Sequence, residues 1–171
     1  MSRSSRFAVA VHMLTLMAYA KDEPVKSEQA ACSVNTNPVV IRRILCALSK
    51  ARLVSSQTGA AGGTRLAREA SQITLLDVYR AVEGGRLFSL HRQPPDPGCP
   101  IGTNVQMVLD GVLGDVEATV DGVLAKIRSK KYFRRLRNAP AARQDNGQNF
   151  LAAFVAGRVT NTGSKSRPRR C

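Results

Sequence analysis

The sequence contains few cysteines, and they do not form a metal-binding motif. Cys32, Cys46, Cys99 and Cys171 lie far apart among 171 residues, and there is no Cys-x-x-Cys pair. This spacing argues against a disulfide framework and against a structural zinc site. We therefore expect reduced thiols, a cytoplasmic location and no bound metal.

Long apolar runs and the common catalytic motifs are also missing. No stretch of about eighteen uninterrupted apolar residues occurs, so neither a transmembrane helix nor a membrane partner is expected. The apolar segment from Phe7 to Met17, followed by Ala-Tyr-Ala, can be parsed as a secretory signal, but its helical periodicity favours a first amphipathic helix. There is no P-loop, no Gly-x-Ser-x-Gly motif and no clustered carboxylate pair, so the sequence does not indicate an enzyme.

Acidic residues are scarce in the C-terminal part, and this scarcity sets the charge of the whole chain. Residues 126–171 contain thirteen Lys or Arg and one acid, Asp145, which is +12 of the total +14. Residues 1–125 contain thirteen basic and eleven acidic residues, which is the remaining +2. The composition predicts a basic, disordered tail over residues 138–171. Such a tail either adds non-specific, salt-dependent affinity for nucleic acid or is a solvated extension with no role.

The most informative stretch is a short cationic helix near residue 40. Asn37 is a preferred N-cap, and Pro38 suits the first helical position. Four aliphatic residues at helical spacing form one face: Ile41, Ile44, Leu45 and Leu48. The opposite face carries Val39, Arg43, Cys46 and Lys50, with Arg42 at its flank. Such a helix can bury one side and present cations on the other.

Two short strand candidates follow this helix, Leu53 to Gln57 and Thr64 to Arg68, joined by the Gly/Ala-rich residues 58–63. The order helix, strand, glycine turn, strand is that of a recognition helix followed by a wing. An ordinary αββ unit of a small α+β domain has the same order. The pattern alone leaves both interpretations open.

Three separated segments are more specific. LVSSQTGAAGGTRLAR (residues 53–68), ITLLDVYRAVEG (73–84) and CPIGTNVQ (99–106) resemble the Rrf2 family of bacterial regulators, which includes iron–sulfur and nitric-oxide sensing repressors. The resemblance covers about residues 1–125. It implies a mainly α fold with a small β wing, in which a winged helix-turn-helix domain precedes a long dimerisation helix.

The resemblance also implies which residues contact DNA. The positions that determine specificity in the family correspond to Asn37, Val39, Arg42 and Arg43. Arg43 is the strongest candidate for base recognition, because a guanidinium can bond guanine O6 and N7 together. The remaining candidates for phosphate or wing contacts are Arg3, Arg6, Ser27, Lys50, Thr58, Gly59 and Arg65. This chain has Arg52 where the family often has glycine, and Thr58 where relatives often have arginine at the wing tip.

The loop from His91 to Gly102 is where cluster-binding relatives carry three cysteines. Here Cys99 stands alone, and an iron–sulfur cluster is held by several thiolates, so we expect no cluster and no other cofactor. Cys99 is a candidate redox switch, and so is Cys46 on the exposed helix face. An unreactive thiol fits the sequence equally well, since reactivity requires a lowered pKa. A small-molecule effector of unknown identity is the alternative signal.

A long apolar stripe follows the loop. Thr103 and Gln106 resemble a capping box that opens a helix. The stripe runs over about 24 residues: Val105, Val108, Leu109, Val112, Leu113, Val116, Val120, Val123, Leu124 and Ile127. One small domain cannot cover a stripe of this length, which predicts paired helices in a homodimer rather than packing within one chain.

These observations divide the chain into four parts. They are a winged helix-turn-helix domain (1–86), a Pro/Gly-rich connecting loop (87–102), a dimerisation helix (103–137) and the basic tail (138–171). The expected function is a DNA-binding transcriptional regulator, a repressor that binds a pseudo-palindromic double-stranded operator as a homodimer. The alternative is a non-specific nucleic-acid-binding protein that acts through its cationic tail. Its binding would survive loss of Arg42 and Arg43 but not loss of residues 126–171.

Overall fold

The computed structural model describes residues 5–21, 23–59, 62–88 and 90–130. Within these ranges the chain forms five helices and one hairpin. In chain order they are α1 (Arg6–Ala20), α2 (Ser27–Val34), α3 (Pro38–Lys50), β1 (Val54–Gln57), β2 (Gly63–Leu66), α4 (Leu75–Val82) and α5 (Pro100–Lys126). The predicted fold class, mainly α with a small β wing, is confirmed.

The hydrophobic core lies where α1, α3 and α4 meet, with α2 packed against α3. Its largest fully buried apolar side chains are Met13, Leu14, Met17, Ile41, Ile44, Leu48, Leu53, Ile73, Val78 and Val82. The aliphatic face predicted for α3 is therefore the buried one. Because that face is fixed in the core, the cationic face of α3 must point to solvent.

Two of the predicted helix starts are confirmed. The Asn37 side chain accepts a hydrogen bond from the Val39 N–H at 2.8 Å, and Pro38 is the first residue of α3. At the start of α4, a threonine followed three residues later by an aspartate resembles a capping box. Here Thr74 Oγ1 accepts from the Asp77 N–H at 3.1 Å, while Asp77 Oδ2 accepts from the Thr74 N–H at 2.8 Å. These local bonds satisfy N–H groups that the helices leave unpaired.

Two other predicted starts are wrong. The preference of serine for N-cap positions predicts Ser27 as the cap of α2, but Ser27 is the first residue of that helix. Lys26 precedes it, and the Lys26 N–H donates to Gln29 Oε1 at 2.8 Å. Helix α5 begins at Pro100, three residues before the predicted capping box. Proline stabilises a first helical position, and the Thr103 hydroxyl donates back to the Cys99 carbonyl at 3.0 Å instead of capping.

The hairpin, which we call the wing, is tied to the segment before α2. Its strands are antiparallel, with Ser56 opposite Thr64, and their hydroxyl oxygens are 3.0 Å apart. Val25 and Thr64 exchange two backbone hydrogen bonds of 2.9 Å. A Cβ on Gly63 would lie 2.8 Å from the Pro24 Cβ, so only glycine permits this approach. The wing is therefore held at a fixed place beside α2 and α3.

Arg52 connects α3 to the wing in a left-handed backbone conformation, with φ 56°. This is the conformation expected from the family's glycine at this position. The Arg68 guanidinium donates to the carbonyls of Ala51 and Arg52, at 3.4 and 3.3 Å. Arg68, which follows the second strand of the wing, thus stabilises the turn, although arginine at position 52 favours the left-handed conformation less than glycine does.

Helix α5 lies against α4 along one side only. Arg80 pairs with Asp121 at 2.7 Å, and Arg86 pairs with Asp110. Beyond α5 the chain returns to the domain, where the Leu75 N–H donates to the Ile127 carbonyl at 2.9 Å. The predicted helix residues 131–137 and the tail 138–171 lie outside the described residues. Among the described helices, none has the length and apolarity to cross a membrane.

Candidate nucleic-acid interface

A cleft opens between α3, the start of α2 and the wing, and we call it the recognition cleft. The predicted DNA-contacting residues or redox candidates that line it are Ser27, Arg42, Cys46, Lys50, Thr58 and Gly59. Three elements distant in sequence thus bring six of the predicted residues to one surface. They meet because α3 buries its aliphatic face and the wing is fastened to Val25.

Other predicted residues lie around the cleft rather than in it. Asn37 caps the N-terminal end of α3, where Val39 is 48% exposed and Arg43 is also exposed. Arg65 belongs to the opposite side of the wing, since neighbouring strand residues alternate and Thr64 faces the cleft. Arg6 is exposed at the first turn of α1, and Arg3 lies outside the described residues.

Six polar residues of the cleft escaped the sequence-based prediction: Lys26, Glu28, Ser49, Ser56, Gln57 and Thr64. Ser49 and Lys26 flank helix residues already singled out, so helical phase could have suggested them. The place of Glu28 depends on how α2 packs against α3, which no local pattern shows. Its Oε1 atom lies 2.6 Å from Arg42 Nη2.

Glu28 is the acidic residue among the residues that line the cleft, and it stays ionised near neutral pH. Hydrogen bonds from its own backbone N–H and from the Arg42 guanidinium hold the pKa of this carboxyl below its usual range. The Ser27 hydroxyl, 3.1 Å from Oε1, acts in the same direction. Against this one carboxylate stand Lys26, Arg42 and Lys50, so the cleft attracts polyanions.

The three cysteines in the part of the chain that the structure describes do not come together in a ligand set. Cys46 is exposed and lines the cleft, whereas Cys99 precedes the first turn of α5 and Cys32 is half-buried in α2. Hydrogen bonds from the N–H groups of Gly102 and Ile101 lower the pKa of the Cys99 thiol. Across the ranges that the structure describes, no three His, Cys, Asp or Glu side chains form a group able to hold a metal ion.

A second surface lies on α5, where the predicted apolar stripe is largely open to solvent. No residue of this helix is buried. The exposed members of the stripe are Val108 (58%), Leu109 (36%), Val112 (55%), Val116 (39%) and Val123 (53%). Only its margin, including Leu124 and Ile127, packs against the core. A Cβ added at Gly111, Gly114 or Gly122 would meet no described atom of this chain within 4 Å, so these glycines are not required by packing among the described residues.

Comparisons with known proteins agree with this geometry. Residues 3–132 match the family model Rrf2, described as iron-dependent transcriptional regulators. A Bacillus subtilis protein named as an HTH-type transcriptional regulator, YwnA, is 40% identical over 134 residues, which are 78% of this chain and 98% of YwnA. A crystal structure described as that of a DNA-binding protein is 36% identical, with a TM-score of 0.59, covering 75% of this chain and 98% of that one. IscR of T. potens is 24% identical with a TM-score of 0.58, covering 88% and 96% of the two chains; this likeness concerns the fold alone.

Proposed function

The chain belongs to the Rrf2 family of transcriptional regulators, and we propose that it is a repressor that binds a pseudo-palindromic operator as a homodimer. Its relatives and its fold are those of DNA-binding regulators and not of enzymes. The observation that carries the proposal is the recognition cleft, in which α3 presents cations beside a wing. A helix of this kind inserts its N-terminal residues into the major groove.

Base recognition is assigned to the exposed N-terminal half of α3. Val39 is suited to contact a thymine methyl, and the guanidinium groups of Arg42 and Arg43 are suited to guanine. Asn37, Lys50 and the wing residues would position the protein on phosphates. Repression follows if the dimer occupies an operator that overlaps the site where transcription begins.

Dimerisation is assigned to the exposed apolar face of α5. Five exposed aliphatic side chains on one helix make a patch that monomeric proteins seldom leave uncovered. An identical helix from a second copy offers a matching surface, as two-fold symmetric interfaces require. A dimer with two recognition helices also matches the two half-sites of a pseudo-palindrome.

We propose that the protein works without an iron–sulfur cluster, although the family description refers to iron. A cluster is held by several thiolates, and Cys99 is the only cysteine between residues 91 and 102. The donor set therefore does not fit. Control is assigned instead to oxidation of Cys99 or Cys46, or to a small ligand. With hydrogen peroxide, a thiolate would become a sulfenic acid and release hydroxide.

Fluorescence anisotropy on DNA from the region upstream of the gene tests this function. The full chain should prefer this DNA to a scrambled sequence at fixed salt, and Arg43→Gln should reduce that preference. Arg92→Gln is the matched control, since Arg92 is exposed in the loop before α5. Equal binding to both DNAs by the unmodified protein would contradict the proposal. If truncation after residue 130 then abolished all binding, the basic tail would be the nucleic-acid-binding element.

The same assay tests control by thiols. Oxidation should release the protein from its preferred DNA, and Cys99→Ser or Cys46→Ser should make binding resistant to the oxidant. A preference that oxidation leaves unchanged would exclude the thiol switch and leave the ligand.

A further inference from the structure

The carboxylate of Glu28 is an unexpected group for a DNA-binding cleft. It is 61% exposed and faces the same open space as Lys26, Arg42 and Lys50. An anion in this position repels the phosphates that the cations attract, so it weakens the sequence-independent part of binding. Its presence therefore calls for a contribution that offsets this cost.

Stabilising the fold is a poor explanation for the pair that Glu28 forms with Arg42. The two side chains are 61% and 58% exposed, and ion pairs at such exposure contribute little to stability. Both residues also belong to helices whose positions are already fixed by the core, through Ala30 and Ala31 of α2 and Ile41 of α3.

Glu28 is nevertheless well placed to fix a guanidinium. It lies in the first turn of α2, where the helix dipole favours a carboxylate. Its Oε1 atom accepts from Ser27 Oγ at 3.1 Å and from Arg42 Nη2 at 2.6 Å. One anchored oxygen therefore holds one terminal nitrogen of Arg42, and Nη1 and Nε lie outside this contact.

We propose that Glu28 is a positioning residue that makes Arg42 recognise a base rather than a phosphate, an inference that rests on the proposed operator binding. A free arginine side chain has many rotamers and pairs readily with the nearest phosphate. Held at Nη2 by Glu28, the guanidinium has fewer accessible orientations and offers its remaining N–H groups to the groove. The negative charge beside it also disfavours binding that uses phosphates alone.

The consequence is a gain in specificity at the expense of general affinity. Glu28 lowers the affinity for any DNA and raises the affinity for the operator relative to that background. A residue of α2 that touches no base would then determine the base preference at one operator position in each half-site.

Selection from a randomised DNA library, followed by anisotropy against single-base variants of the selected site, tests this inference. The proteins compared are the full chain and its Glu28→Gln, Arg42→Gln and double variants. Glu23→Gln is the matched control, because Glu23 is an exposed glutamate in the connection just before α2. Circular dichroism melting checks that each variant is folded.

Glu28→Gln should bind scrambled DNA more tightly and lose about five-fold or more of the preference at one base position, which is the lower range for a bidentate arginine–guanine contact. Arg42→Gln should lose the preference at the same position, and adding Glu28→Gln to it should change that preference no further. Glu23→Gln should leave every base preference unchanged.

If Glu28→Gln had the same base preferences as the unmodified protein, and the unmodified protein did discriminate between DNA sequences, the role of Glu28 would be overturned. The proposed operator binding would stand. The role of Glu28 would also be overturned if Glu28→Gln reduced the base preference of the Arg42→Gln protein as much as it reduces that of the unmodified protein. Glu28 would then not act through Arg42. If the unmodified protein shows no preference for any DNA, the proposed operator binding itself fails and the inference fails with it.

Discussion

The sharpest test of the assembly is a single charge placed in the apolar face of α5. Val112 is 55% exposed and lies midway along the helix. At about 100° per residue, it shares a sector of roughly 100° with Val108, Leu109, Val116 and Val123. Val112→Asp therefore puts a carboxylate in the middle of the surface that a second copy would cover.

The expected loss is large. Fully burying a valine contributes about 1.5–3 kcal/mol, and about half of Val112 remains to be buried, so each copy loses roughly 1 kcal/mol. Burying an unpaired carboxylate costs several kcal/mol more after relaxation. For two copies the total is at least about 4 kcal/mol, which raises the dissociation constant of the dimer roughly a thousand-fold.

Sedimentation velocity over a concentration series measures this change directly. The unmodified chain of 18.5 kDa should sediment as a dimer of twice that mass, and Val112→Asp should sediment as a monomer. Circular dichroism should show that the helicity of the variant is unchanged. The control is Ala118→Asp, an exposed position about 130° around the helix from the centre of the sector, which should remain dimeric. A Val112→Asp protein as dimeric as the unmodified one would refute the assignment of the interface to α5.

Four further predictions concern single residues of the chain. Thr74→Ala removes the cap of α4 and should lower the free energy of unfolding by about 1 kcal/mol in urea titrations, whereas an unchanged value would mean that the capping bonds are dispensable. Arg52→Gly should raise it by about 0.5–1 kcal/mol, because glycine adopts the left-handed conformation without a steric cost; a loss of stability would show that the Arg52 side chain has a contact that matters more. Burial lowers the pKa of His12, so its contribution to stability is present above the unfolded pKa of about 6.5 and is lost as the pH falls through and below that value; His12→Gln should remove this dependence from pH-dependent melting curves, with an effect below about 1 kcal/mol because the ring is partly exposed. Cys99 should be alkylated by iodoacetamide at pH 7 faster than a cysteine in an unstructured peptide, as measured by mass spectrometry, because its lowered pKa increases the thiolate fraction.

The elements that the sequence predicted well are those set by local chemistry. The cap at Asn37, the first-turn Pro38 and the aliphatic spacing of α3 all depend on residues within four positions of one another, so the helix and its buried face could be located. The left-handed backbone at Arg52 was also predictable, because the family often has glycine there. The misplaced starts of α2 and α5 arose from competing local signals, such as Pro100 against the pair Thr103 and Gln106.

What the sequence could not show depends on contacts between distant segments. Glu28 and Arg42 are 14 residues apart, and their ion pair exists only because α2 packs across α3. Thr64 and Arg65 point to opposite sides because neighbouring strand residues alternate, but which of them faces the cleft depends on the pairing of the wing with Val25. A tertiary contact of this kind changes which side chain faces the cleft while leaving the sequence pattern the same.

The arrangement of α5 links the two proposed surfaces through a short physical path. Asp110, Glu117 and Asp121 lie on one side of the helix, where they bind Arg86, the Leu87 N–H and Arg80. The exposed valines occupy a sector centred roughly 150° around the helix from them. Helix α4 packs against both α5 and α3. The recognition helix α3 is therefore connected to the apolar face of α5 through α4. Because the spacing of half-sites is fixed by the DNA, a small rotation of α5 relative to α4 would misplace one recognition helix against its half-site. In the proposed dimer, a signal that acts at the start of α5, where Cys99 precedes the first turn, would therefore change the affinity for the operator.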